Sequence, residues 1–129
     1  MGKTGTNGNN VLVVEDEPGI AKVCIRTLTA QGFQVDIAIN GKIALEMWQR
    51  KHYNLCISDI MTPCMNGIEL FRRLEKEDPD AINKFIFTTG NLLNGEIKAF
   101  LEETGRPYLP KPFSPENLRE IVKTVMVKN

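Results

Sequence analysis

No stretch of this sequence approaches the ~20 consecutive apolar residues that a membrane-spanning helix requires. Its start also lacks the apolar segment of a secretory signal peptide, so the expected location is cytoplasmic, without a membrane span. An excess of charge of either sign is missing as well. Sixteen basic residues balance sixteen acidic ones, for a formal net charge of zero, which argues against direct nucleic-acid binding or a membrane-surface role. Cysteine is scarce. Cys24, Cys56 and Cys64 make an odd number with no Cys-x-x-Cys, so reduced, mostly buried thiols are expected rather than a disulfide framework. Internal repeats and an interdomain linker are absent too. At 129 residues, 42% of them hydrophobic, the chain suits one globular domain with its own core. The small, polar, glycine-rich residues 1–9 read as a flexible tail and residues 10–129 as the domain.

What is present is an alternation of short apolar runs and amphipathic stretches. VLVV, residues 11–14, has the unbroken apolarity of a strand buried on both faces. Pro18 then suits the first turn of a helix whose buried face is Ile20, Val23, Cys24 and Leu28, with Gly32 as its stop. FQVDIAI alternates as a second strand. Asn40 caps a second helix carrying Ile43, Ala44, Met47 and Trp48. YNLCIS is a third strand, followed by a helix with Ile68, Leu70, Phe71 and Leu74 that stops before Pro79. KFIFTTG is a fourth strand. Asn94 caps a fourth helix with Ile97, Phe100 and Leu101, and Gly105 ends it. PYLP is a short fifth strand, and Ser114 with Pro115 opens a last helix with Leu118, Ile121, Val122, Val125 and Met126 on one face. Five β-α units imply a doubly wound α/β domain with a parallel sheet and five helices.

Ligands of such sheets bind at the carboxyl ends of the strands. The first strand delivers Glu15, Asp16 and Glu17 there, the third Asp59, the fourth Thr88, Thr89, Gly90 and Asn91, and the fifth leads to Lys111. Singly these are ordinary: acids cap helices, threonine favours strands, and loop lysines are solvated. Together, carboxylates that converge repel one another unless a cation neutralises them. Oxygen donors without His or Cys select a hard ion, Mg²⁺ or alternatively Mn²⁺. Lys111 adds a point charge suited to phosphate, and Thr89 a neutral donor. This is the inventory of a phosphoryl-transfer site with Asp59 as nucleophile.

The chain resembles the receiver domain of two-component response regulators over residues 10–128. The resemblance rests on VVEDE, SDIMTPCMNG, FTTGN and YLPKPF, with thirty residues from Asp59 to Thr89 and twenty-two from Thr89 to Lys111. It implies a flavodoxin-like sheet of order 2-1-3-4-5. It also implies that Asp59 is the phosphoacceptor, Asp16 a direct Mg²⁺ ligand, Glu15 an acid acting through a metal-bound water, and the Met61 backbone carbonyl a further ligand. Glu15 stands where the family often has aspartate. Thr89 looks like the switch hydroxyl, Tyr108 the switch aromatic and Lys111 the phosphate-binding lysine. The Lys111–Pro112 bond is expected to be cis, aiming the lysine inward, while Pro110 just before the lysine is less usual and stiffens the backbone. Pro63 and Gly67 shape the loop that turns the Met61 carbonyl to the metal. Met61 and Asn91 flank the path of hydrolytic water and so tune the phosphoryl lifetime.

The implied function is phosphorelay: a phosphoryl group passes from a phosphohistidine on a sensor histidine kinase or histidine phosphotransfer protein to Asp59, and the chain switches conformation. It is not an enzyme beyond assisting its own phosphorylation and dephosphorylation. The output partner binds the face formed by the fourth helix, fifth strand and last helix, and phosphorylation-dependent dimerisation is one form of output. FLEETGRPYLPKPFSPENL is closest in style to the receiver of a hybrid sensor kinase; a stand-alone regulator or a piece of a larger one are the alternatives. A flavodoxin-type FMN binder would need a Ser/Thr/Gly-rich loop where the acids stand. A dehalogenase-type phosphatase would need an acid where Met61 stands. A pseudo-receiver that binds partners without taking phosphate is the remaining alternative, set against five filled key positions.

Overall fold

The computed structural model describes residues 9–128. All but the last residue of the expected N-terminal tail lies outside the described residues. The elements are β1 (Asn10–Val14), α1 (Pro18–Ala30), β2 (Gln34–Ala38), α2 (Gly41–Arg50), β3 (Leu55–Asp59), α3 (Gly67–Glu77), β4 (Phe85–Thr89), α4 (Gly95–Thr104), β5 (Tyr108–Pro110) and α5 (Pro115–Lys128). The strands form one parallel sheet in the order β2-β1-β3-β4-β5, as the resemblance implied. No helix among the described residues is long and apolar enough to cross a membrane.

The unbroken apolar runs have a direct cause. β1, β3 and β4 are buried along their whole length, because helices cover both faces of the sheet. Leu12, Val14, Cys56, Phe85 and Phe87 pack toward α2, α3 and α4, while Val11, Val13, Leu55, Ile57 and Ile86 pack toward α1 and α5. The few aromatics are concentrated on the first of these faces. Phe71, Phe85, Phe87 and Phe100 meet edge-on or stacked at 5.2–5.7 Å, and Trp48 extends the cluster to Tyr53. Cys24 and Cys56 are buried, and burial pushes the Cys24 thiol up to about 12; Cys64 is exposed.

The expected caps form. Asn40 Oδ1 accepts from the Ile43 N–H, Asn94 Oδ1 from those of Glu96 and Ile97, and Ser114 Oγ from that of Asn117. Gly105 closes α4 at φ 67°, where a side chain would be strained. Two expectations need correction. Ile43 is 36% exposed, and the buried stripe of α2 is Gly41, Ala44, Leu45 and Trp48. That spacing is the better helical face, and it places a glycine, which no hydrophobic scan would select, against the body of the domain. Beyond the stop at Pro79, residues Pro79–Lys84 add a sixth, 3₁₀ helix. Asp78 at its start accepts a 2.8 Å hydrogen bond from Trp48 Nε1, a contact between segments distant in sequence.

Candidate functional site

Asp59 ends β3 and pairs with Thr88 of β4. The chain then leaves the sheet at once: the Ile60 N–H donates to the Thr88 carbonyl at 3.0 Å and the Gly67 N–H to the Ile60 carbonyl at 2.9 Å. α3 therefore begins directly against the strand end. A Cβ on Gly67 would lie 2.7 Å from the Asp59 carbonyl oxygen and 2.9 Å from the Ile60 Cα, so only glycine fits. This close approach is the role of Gly67. The left-handed turn of the loop falls instead on Cys64, at φ 67°. A residue with a Cβ held there costs roughly 1–2 kcal/mol, partly offset in a Gly variant by its more flexible unfolded chain. Cys64→Gly is thus expected to raise stability by up to about 1 kcal/mol. A urea midpoint that is unchanged or lower would contradict this.

The acids gather as expected. Carboxylate oxygens of Glu15, Asp16 and Asp59 lie within 4.8 Å of one another. Glu15 and Asp59 are only 3% and 5% exposed, while Asp16 faces solvent. Lys111 reaches in from beyond β5, its Nζ 3.0 Å from Glu15 Oε1 and 3.0 Å from Asp59 Oδ2. It also lies 3.4 Å from Glu17 Oε1, a partner the sequence placed at the strand end without a role. The second oxygens accept backbone N–H groups: Glu15 Oε2 from Glu17 and Asp59 Oδ1 from Met61, each at 3.2 Å. The Lys111–Pro112 peptide is cis, as expected.

One lysine among four acids leaves the site short of positive charge. Burial pushes the Glu15 carboxyl above its usual range; the hydrogen bond from Lys111 opposes this, and repulsion by Asp59 adds to it. For Lys111, burial works against the charge, yet the hydrogen bonds to Asp59 and Glu15 outweigh it and hold the ammonium above its usual range. All the donors are oxygens, and their unbalanced charge suits a hard divalent cation.

The neighbours fall into place around this centre. Thr89, fully buried at the end of β4, accepts the Asn91 N–H on Oγ1 at 3.1 Å, and its carbonyl accepts the Lys111 N–H at 2.8 Å. Asn91 is exposed, Met61 is 60% exposed, and Tyr108 at the start of β5 is 42% exposed. Three residues that sequence reading gave no role bear on the site, two of them through the loop after Asp59 and one through Lys111. Thr62 Oγ1 donates to the Met65 carbonyl at 2.9 Å, the Gly41 N–H donates to the same carbonyl at 2.9 Å, and Glu17 joins Lys111. A glycine in the first turn of a helix, where alanine is the better helix former, was the one local signal for Gly41.

Fold and site together define a doubly wound α/β domain with an acidic pocket and one lysine at the carboxyl edge of its sheet. The family model for the response regulator receiver domain matches residues 11–123, and the chain belongs to that family. A probable transcriptional regulator, ycf29, of Porphyra purpurea is 35% identical over 93% of this chain and 57% of its own length. The sensor kinase CckA of Brucella abortus is 34% identical over 92% of this chain and 12% of its own length. The chain therefore spans only part of each of these relatives. Among solved structures, the receiver domain of a Pseudomonas aeruginosa PAO1 sensor histidine kinase, with a magnesium ion coordinated in its active-site cleft, superposes with a TM-score of 0.82. It is 26% identical, over 93% of this chain and 98% of that one.

Proposed function

We propose that residues 10–129 act as the receiver step of a phosphorelay in the cytoplasm. The observation that carries this reading is the buried Asp59 carboxylate at a strand end, 3.0 Å from Lys111 and inside a cluster of acids. An oxygen of Asp59 forms the new bond to phosphorus as the bond to the donor imidazole breaks. The donor is a phosphohistidine of a sensor histidine kinase or phosphotransfer protein. Lys111 exchanges its contact with Asp59 for one with a phosphoryl oxygen, and the Thr89 hydroxyl donates to another. Asp16, Asp59 and the Met61 carbonyl hold Mg²⁺, with Glu15 acting through water; Mn²⁺ satisfies the same donors. Bound there, the ion offsets the negative charge of the incoming group.

Tyr108, exposed in this state, turns inward when Thr89 moves toward the phosphoryl group. The α4–β5–α5 face then presents a changed surface to the output partner or to a second copy. This is a population shift, biased by contacts that only the phosphorylated form makes. The domain assists its own phosphorylation and dephosphorylation. Its likeness to part of a sensor kinase and to about half of a transcriptional regulator fits either the receiver of a hybrid kinase or the receiver of a larger regulator.

The test is incubation with acetyl phosphate, with and without Mg²⁺, followed by intact-mass measurement. One added phosphoryl group, dependent on Mg²⁺ and removed by hydroxylamine, is expected; no addition would refute the reading. The lifetime of that group follows from two loop residues. Met61 covers the path of water with a flexible apolar chain, and Asn91 offers an amide that holds water. Met61→Asn is expected to speed the decay of the phosphorylated form once the donor is removed, and Asn91→Leu to slow it. Unchanged decay in both would show these to be ordinary surface residues.

A further inference from the structure

We propose that the junction between β2 and α2, residues 38–41, is a brace that positions both loops of the acidic site. It touches neither the metal nor the phosphoryl group. The inference rests on the reading that Asp59 and the Met61 carbonyl hold a divalent ion.

The junction contacts each loop by one backbone hydrogen bond. At its start, the Ala38 carbonyl accepts the Glu15 N–H at 2.9 Å. At its end, the Gly41 N–H donates to the Met65 carbonyl at 2.9 Å, and the Thr62 hydroxyl donates to the same oxygen at 2.9 Å. Residues 60–66 are thus pinned at two points. Ile60 is tied to β4 and α3, and Met65 is tied to the first turn of α2, where the helix N-terminus favours a carbonyl oxygen. Met61 lies between the two pins.

The brace cannot slide. Asn40 is buried, caps α2 through the Ile43 N–H at 2.9 Å, and accepts the Ala44 N–H on its own carbonyl. The approach is also too close for a side chain. A Cβ on Gly41 would lie 2.3 Å from the Met65 carbonyl oxygen and 3.0 Å from its carbon, so Gly41→Ala must push the loop away. Thr62 is 7% exposed, and Thr62→Val keeps its shape while removing the donor.

Three variants test the brace, with Mg²⁺ affinity read by calorimetry and amide hydrogen exchange read on metal-free protein. Supporting groups around a metal site typically change affinity by about 10–100-fold. Gly41→Ala is expected to weaken Mg²⁺ binding about tenfold or more. Thr62→Val is expected to weaken it by a smaller factor, and Thr62→Ser, which keeps the hydroxyl, to bind like wild type. In the metal-free variants, exchange should quicken across residues 61–66 while β1 and β3 stay protected. A role in stability alone would lower protection throughout, β1 and β3 included, and leave the Mg²⁺ affinity of the folded variants unchanged.

Wild-type affinity and wild-type exchange in folded Gly41→Ala and Thr62→Val would overturn the brace. If Gly41→Ala fails to fold, Asn40→Ala, which removes the cap that fixes the start of α2 beside Gly41, takes its place in the same two measurements. If wild type itself binds no Mg²⁺, the metal reading fails, and local exchange at residues 61–66 alone decides whether the brace stands.

Discussion

With Asp59 replaced by asparagine, incubation with acetyl phosphate and Mg²⁺ is expected to add no covalent phosphate, where wild type takes up one group. The two side chains have nearly the same shape, so the effect isolates the chemistry. A carboxylate oxygen can attack phosphorus and give an acyl phosphate, whereas a neutral amide oxygen is a poor nucleophile. The variant is expected to fold. Lys111 keeps its 3.0 Å contact with Glu15, and a like charge beside Glu15 is gone. Repulsion by Asp59 is one cause of the raised Glu15 pKa, so that pKa is expected to fall toward its ordinary range in the variant. The thermal midpoint at pH 7 is expected not to drop. Labelling of Asp59→Asn equal to wild type, by intact mass, would remove Asp59 from the proposed role.

Lys111→Met is expected to destabilise the metal-free protein by about 3 kcal/mol, the scale for removing one partner of a buried ion pair. The side chain is 13% exposed and sits between two carboxylates that are buried almost completely. Its removal leaves both without their only close cation among the described residues. The pH dependence has a defined sign. The folded pKa of Lys111 is raised above 10.5, so its stabilisation is fully present below 10.5 and is lost as pH rises through the folded value. Glu15 is raised above 4.5. Its ionisation therefore costs nothing below 4.5, and the cost sets in as pH rises from there through the folded value. In Lys111→Met that cost is larger, so the deficit should be wider at pH 7 than near pH 4. Mg²⁺ should restore much of the lost stability, since a ligand that binds only the folded state stabilises it. Urea unfolding at both pH values, with and without Mg²⁺, measures these effects. Equal stability of variant and wild type at pH 7 without metal would show that Lys111 does not hold the acids.

Much of this domain was legible because its signals are local. VLVV and FIF are apolar without interruption, since their strands are covered on both sides. Asn94, Gly105 and Ser114 mark helix ends because their side chains, or the lack of one, meet a need of the adjacent turn. The acids and Lys111 could be grouped before any coordinates because a parallel sheet brings all its strand ends to one edge. Other features depend on how separate segments meet. Glu17 joins Lys111 only because α1 starts beside the loop after β5. The buried face of α2 runs through Gly41 rather than Ile43 because the loop after Asp59 passes too close for a side chain. The 3₁₀ helix after α3 begins at Pro79, directly after Asp78, which is held by Trp48 on another helix. The sequence by itself determined the β-α order and which residues could do chemistry, since apolar periodicity and residue type are written along the chain. Only the tertiary structure decided which backbone groups position that chemistry, because every residue carries the same N–H and C=O, and packing alone selects which of them meet.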